Sequence, residues 1–250
     1  MTGPLPRRGV LAGLAALVVA GCSRIAASGP GASLLGAVEG WNRGLHDWLG
    51  RRTSLAREFS LEDISPTFRG NGTVAPDGAF YRHHRDTGFR LWTLTVTGLV
   101  ERPLALTLDQ LRAMPQRTQI TRHDCVEGWS AIGQWSGVPL AHILHLAGLK
   151  SEARYIVFRC ADTMGDAPYY ESIDLIDAFH PQTLVAHSLN GAPLPVENGA
   201  PLRMRIERQL GYKHAKYVHT VEAVASLAGI GRGKGGYWED RAGYQWYAGI

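Results

Sequence analysis

Apolar and polar residues alternate through LWTLTVTG, residues 91–98, with Trp92, Leu94 and Val96 on one side and Thr93, Thr95 and Thr97 on the other. A period of two predicts a strand with one buried face. Strands are likewise predicted over TQITRHD (118–124), RYIVFRC (154–160), TLVAHSLNGAPLP (183–195, turning at Asn190-Gly191) and KYVHTVEAV (216–224). LRMRIE alternates Leu202, Met204 and Ile206 with Arg203, Arg205 and Glu207, and its charges beyond Arg203 (Arg205, and Arg208 just after) are expected on the surface. Helical signals are shorter. Thr107 and Gln110 have the spacing of a capping box ahead of a helix that stops at Pro115. Pro139 opens a helix through AHILHLA that Gly148 ends, and DLIDAF is a short helix ended by Pro181. Leu34, Val38, Trp41, Leu45 and Trp48 recur at helical spacing and predict one amphipathic helix, packed on the body or lying on a membrane. Strands outnumber helices, so the fold class is α+β with a mixed β-sheet and short helices.

The two ends read differently from this body. Arg7-Arg8 precede the apolar run Val10–Ala20, too short to span a bilayer but suited to a signal-peptide core of twin-arginine type. Val19-Ala20-Gly21-Cys22 resembles a bacterial lipobox, which makes Cys22 the expected lipidation site and places the chain on the periplasmic side of a bacterial membrane. Residues 1–22 are thus a signal segment, 23–79 a tether, amphipathic helix and loop, 80–228 the main domain, and 229–250 a glycine-rich then aromatic tail. That tail either covers a site or docks on the core. With 26 Lys+Arg against 22 Asp+Glu, interspersed, the net charge of +4 forms no dense basic stripe, which argues against nucleic acid.

Composition leaves the chemistry to the cysteines. Besides Cys22 the chain has Cys125 and Cys160, and export alone favours a disulfide between them. Cys125 lies in TRHDCVEGWSAIGQW, at the end of an expected strand and before a glycine turn. Arg122 and His123 favour its thiolate, while Asp124 and Glu127 oppose it. No base is placed by motif, so a cysteine hydrolase has little support. A soft metal held mainly by a cofactor fits better, because the protein then supplies a single thiolate.

CVEGWS (125–130), followed by Trp135 and GVPL, resembles the metal-binding segment of the sulfite oxidase superfamily of molybdopterin oxidoreductases. FYRHHRDTGFRLWTLTVTGLVERPLALTLDQLRAMP, YYESIDLIDAFHPQTL and LNGAPLPVENGAPLRMRIERQLGYKHAKYV resemble further segments of that family in the same order. The resemblance runs from about Phe80 to Val224 and is greatest to the periplasmic methionine sulfoxide reductase branch.

The resemblance implies a molybdenum–molybdopterin cofactor with Cys125 as its metal ligand. His83 and His84 then fall in a loop that meets the pterin, although this chain has His-His where the family often has Asn-His. Arg203, Lys213, His214 and Lys216 form the basic, phosphate-binding end. Cys160 stands where the branch has threonine, either lining the site or buried as a small apolar residue; Trp129 either shapes the site or packs. The implied reaction is oxygen-atom transfer from an S-oxide or N-oxide, with electrons from a haem protein. The tail aromatics Tyr237, Trp238, Tyr244 and Trp246 are candidates for a substrate wall. Sulfite oxidation is the runner-up, disfavoured because little chain follows the last expected strand to build the β-sandwich such members add. A cofactor-free binding lipoprotein of the same fold is the third reading.

Overall fold

A computed structural model describes residues 52–165 and 167–250, together with Gly29, Pro30 and Ser33, which are helical. The expected signal segment, the lipidated Cys22 and the amphipathic helix lie outside the described residues. Thr53–Ile250 make one compact unit, so residues 53–79 of the expected connecting segment and the tail belong with the body.

The fold is α+β with short helices, as expected, and its strands form two sheets, the first of them mixed. The first runs β2 (Leu104–Thr107), β1 (Thr93–Gly98), β10 (Val218–Val224), β5 (Tyr155–Met164), β6 (Ala167–Asp174); β1 and β10 are parallel and its other pairs antiparallel. The second runs β3 (Arg117–Cys125), β4 (Trp129–Pro139), β7 (Leu184–Leu189), β8 (Ala192–Pro193), with β9 (Arg203–Arg205) also on β7, all antiparallel. Helices α1 (Ala79–Asp86), α2 (Leu108–Ala113), α3 (Leu140–Ala147), α4 (Leu175–Ala178) and α5 (Tyr237–Ala242) are all short.

Local chemistry sets these boundaries. Thr107 Oγ1 accepts from the Gln110 N–H at 3.2 Å and Gln110 Oε1 accepts from the Thr107 N–H at 2.9 Å, closing the reciprocal cap that starts α2. Gly148, at φ 69°, ends α3 in a backbone region that other residues enter at a cost. Asn190 and Gly191, both at positive φ, make the tight turn between β7 and β8.

The first sheet is packed by its alternation: Trp92, Leu94, Val96, Ile156, Phe158 and Val221 are fully buried with α3's Leu140 and Ile143. Burying each such aliphatic side chain is worth about 1.5–3 kcal/mol. The second sheet departs from expectation. Arg203 and Arg205 are both wholly buried, and Arg205 is therefore no surface residue. Their guanidinium carbons lie 4.9 and 4.3 Å from the Trp135 ring centroid, so the indole meets two cations. Arg205 also donates to Glu207, which is equally buried, at 2.6 Å. Inward positions of β3 are polar as well: Gln119, Thr121, His123 and Cys125.

Candidate active site

Cys125 ends β3 at the tip of the β3–β4 hairpin, opposite Trp129. Gly128, at φ 84°, turns the chain, and its N–H donates to the Cys125 carbonyl at 3.1 Å. The buried thiol lines a cavity of about 210 Å³ walled by five more parts of the chain, Tyr169 of β6 among them. Asn71-Gly72-Thr73 form one edge, and Asp162 and Met164 arrive from β5. Gly211, Tyr212 and His214 come from the turn after β9, and Trp238 and Tyr244 from the tail. Gly211 is required by close approach, since a Cβ there would stand 2.5 Å from His123 Nε2.

The chamber is lined by polar as well as aromatic groups. Burial pushes the Cys125 thiol up; Glu127's charge adds to that, and Arg203 and Arg69 oppose it. Ionisation at neutral pH is thus left to a bound cation, as metal thiolates require. His214 Nε2 faces the Gln209 carbonyl at 3.0 Å, so it carries the proton and Nδ1 is an acceptor, buried and without a partner. His123 Nδ1 faces a pure donor, Arg205 Nη1, at 3.0 Å. Burial and the nearby His214 and arginines keep His123 neutral, so its Nε2 holds a proton with no acceptor. Asn71 Oδ1, Asp162 Oδ1 and Arg203 Nε are also buried without partners. Orphaned groups of this kind are costly unless a ligand completes them.

This donor set fits a metal held by one protein sulfur within a polar organic ligand. Among the described residues no group of three or more His, Cys, Asp or Glu is arranged to hold a metal ion, so most ligands must come from outside the protein. Cys125 would take the metal, and His214 and Asn71 on the cavity wall have free groups for the organic part; Arg203, expected beside them, is wholly buried and does not line the cavity.

The remaining expected site residues are placed differently. His83 and His84 lie on helix α1, not a loop, and neither lines the cavity; the His84 ring packs against Phe80 and Trp92. Lys213 is turned away from the cavity and buried between Glu171 and Glu239, 2.8 Å from the latter. One ammonium between two carboxylates leaves a surplus negative charge, and burial pushes Glu171 up. Lys216 does line the cavity, but its Nζ donates to the carbonyls of Asn71, Thr73 and Glu197 at 2.6, 2.5 and 2.8 Å. It fastens the 71–73 edge, and burial brings it down to about 7. Cys160 is buried in the apolar core and, like Cys125, is free rather than disulfide-bonded. Of the tail aromatics Trp238 and Tyr244 reach the cavity, while Tyr237 donates to the Met164 carbonyl and Trp246 to Ser172 Oγ. Asn71 and Asp162 were not anticipated; each sits in a stretch whose local sequence gives no catalytic spacing.

The family described as oxidoreductase molybdopterin binding domain matches residues 83–227. The chain belongs to this family. It is therefore a molybdopterin-dependent oxidoreductase whose cofactor is molybdenum–molybdopterin. Its similarity to subunit YedZ1 of Azospira oryzae, provisionally named a protein-methionine-sulfoxide reductase subunit, is 40% identity over 87% of this chain and 76% of that one. The protein-methionine-sulfoxide reductase catalytic subunit MsrP of Xanthomonas axonopodis pv. citri is 36% identical over 54% of this chain and 46% of its own length. This molybdopterin oxidoreductase thus spans about half the length of that relative. Its fold is shared with the sulfane dehydrogenase SoxCD of Paracoccus pantotrophus, at a TM-score of 0.51 and 23% identity over 55% of this chain and 39% of that one.

Proposed function

We propose that this oxidoreductase reduces S-oxides to thioethers, working in the direction named for its methionine-sulfoxide reductase relatives. One observation carries the reading: the cavity suits a neutral dipolar substrate and disfavours an anion. Lys216, its one lining cation among the described residues, gives its N–H groups to backbone carbonyls, while Asp162 and Glu127 contribute carboxyls. Sulfite, an anion, would find no free side-chain cation on this wall. Met164, Trp238 and Tyr244 supply the polarisable apolar wall that a thioether favours.

Molybdenum–molybdopterin, when bound, supplies two-electron oxygen-atom transfer. The chain's own residues seat it through Cys125, exclude water with the docked tail, and hold the substrate against the aromatic wall. Electrons are expected from a separate haem carrier, as the family resemblance implies. The sequence of residues 1–22 supports export and a lipid anchor at Cys22 on the periplasmic side. Cys22→Ser is expected to release the chain from the membrane fraction, and continued membrane retention would contradict the anchor.

The test is turnover of the metal-loaded chain in both directions. Reduced viologen should be oxidised on adding N-acetylmethionine sulfoxide, with no ferricyanide reduction on adding sulfite. The reverse pattern would replace this reading with sulfite oxidation.

A further inference from the structure

We propose that Asp162 is the catalytic acid that gives a proton to the oxygen leaving the substrate sulfur, a role that rests on the S-oxide reading above. The strand geometry delivers it to the cavity. Between the pairs Arg159↔Tyr170 and Thr163↔Pro168, four steps along β5 are matched by two along β6. Such a bulge breaks the ladder and re-aims side chains. Asp162, in this interval, lines the same cavity as Cys125 at only 4% exposure, and its Oδ1 has no hydrogen-bond partner.

The groups around the carboxyl leave it protonatable. Lys216, just before β10, attracts the ionised form, yet its N–H groups go to carbonyls of Asn71, Thr73 and Glu197. Tyr81 on α1 donates to the Ala200 carbonyl and Tyr169 on β6 to the Tyr212 carbonyl, so neither phenol donates to Asp162. Tyr217, beside Lys216, bonds to the carbonyls of Thr73 and Val196. Cys160, on the same strand, is buried and stays a thiol. Burial outweighs the Thr73 hydroxyl and Lys216 and raises Asp162 to about 6, so it can both lose and regain a proton near neutrality. Other cavity groups are less suited. The His214 nitrogen without a partner is an acceptor, and Glu127 accepts from the Trp129 N–H on the exposed side.

The step balances. An S-oxide, two protons and two electrons give a thioether and water: the S–O bond breaks and two O–H bonds form. The electrons come from an external one-electron carrier acting twice. Asp162 supplies one proton and is recharged from solvent at the cavity mouth, and solvent supplies the other.

The experiment compares metal-loaded wild type, Asp162→Asn and Asp162→Glu with reduced viologen and N-acetylmethionine sulfoxide. Wild-type kcat should fall as pH rises through about 6, because the acid must carry its proton. Asp162→Asn should lower kcat by about 10²-fold or more with KM within about threefold, and flatten that fall. Asp162→Glu should restore part of both. Molybdenum content should match wild type in each. Independently of turnover, an infrared carboxyl band should titrate near pH 6 in the loaded wild type and be missing from Asp162→Asn. An unchanged kcat and pH profile, absence of that band, or loss of molybdenum with the amide would overturn the donor role. Wild type that turns over no S-oxide would instead fail the functional reading beneath it, a different result from an active wild type with an equally active amide variant.

Discussion

The two sheets solve opposite problems with similar strands. Buried positions of the first include Trp92, Leu94, Val96, Ile156, Phe158 and Val221, an apolar face whose one polar atom, Trp92 Nε1, donates to the Val218 carbonyl at 3.2 Å. Inward positions of the second include Gln119, Thr121, His123, Cys125, Arg203 and Arg205, which need a hydrogen bond or counter-charge for nearly every polar atom. Much of that demand is met internally. Arg205 binds Glu207 and His123, and Gln119 donates to Glu207 at 2.8 Å. What is left over, at His214, Arg203 and Asn71, faces or adjoins the cavity. Apolar burial thus dominates the first sheet apart from Asp162 at its bulge, while the second meets most of its polar demand by pairing buried charges.

Substitutions on each side should separate these roles. Cys125→Ser removes the proposed protein ligand of the metal: turnover should drop by about 10³-fold or more, over 4 kcal/mol of transition-state stabilisation, with little loss of folding stability. Arg205→Met leaves Glu207 buried and unpaired, and urea unfolding should show a loss of about 3–5 kcal/mol. Adding Glu207→Leu should recover part of that loss. Leu94→Ala in the first sheet should cost about 2–4 kcal/mol by the same measurement and leave kcat unchanged. Asp162→Asn should act in the opposite sense on stability. Its folded carboxyl sits at about 6 against an ordinary 3.8, so the native state binds the proton more tightly than the unfolded chain. The stability from this group is present below about pH 4 and is lost as pH rises through about 6. At pH 7.5 the amide should therefore unfold about 2–3 kcal/mol later than wild type, and match it near pH 4.

The first sheet was legible because alternation and turn residues are local signals. Trp92, Leu94 and Val96 are buried as their period demands, and the Thr107–Gln110 cap, Gly148 and Asn190-Gly191 stand where their chemistry places them. Alternation misled in LRMRIE, because a buried arginine needs partners from distant segments. Arg205 finds Glu207 and His123 only once β9 and β3 are brought together. The histidine pair on α1 was misplaced because it reads as loop without its neighbours Phe80 and Trp92. Lys213 is drawn from the cavity by Glu171 and Glu239, carboxylates 42 and 26 residues away in sequence. Cys125 was recoverable from its segment, whereas Asp162 depends on a bulge between two strands that no spacing announces.

Cys125 is proposed as the protein's ligand to molybdenum in a cavity otherwise completed by the cofactor. X-ray absorption at the molybdenum edge tests it most directly, on loaded wild type beside Cys125→Ser at equal metal content. The expected result is one sulfur fewer in the metal's first shell of the variant. An identical sulfur shell in the two proteins would contradict the assignment.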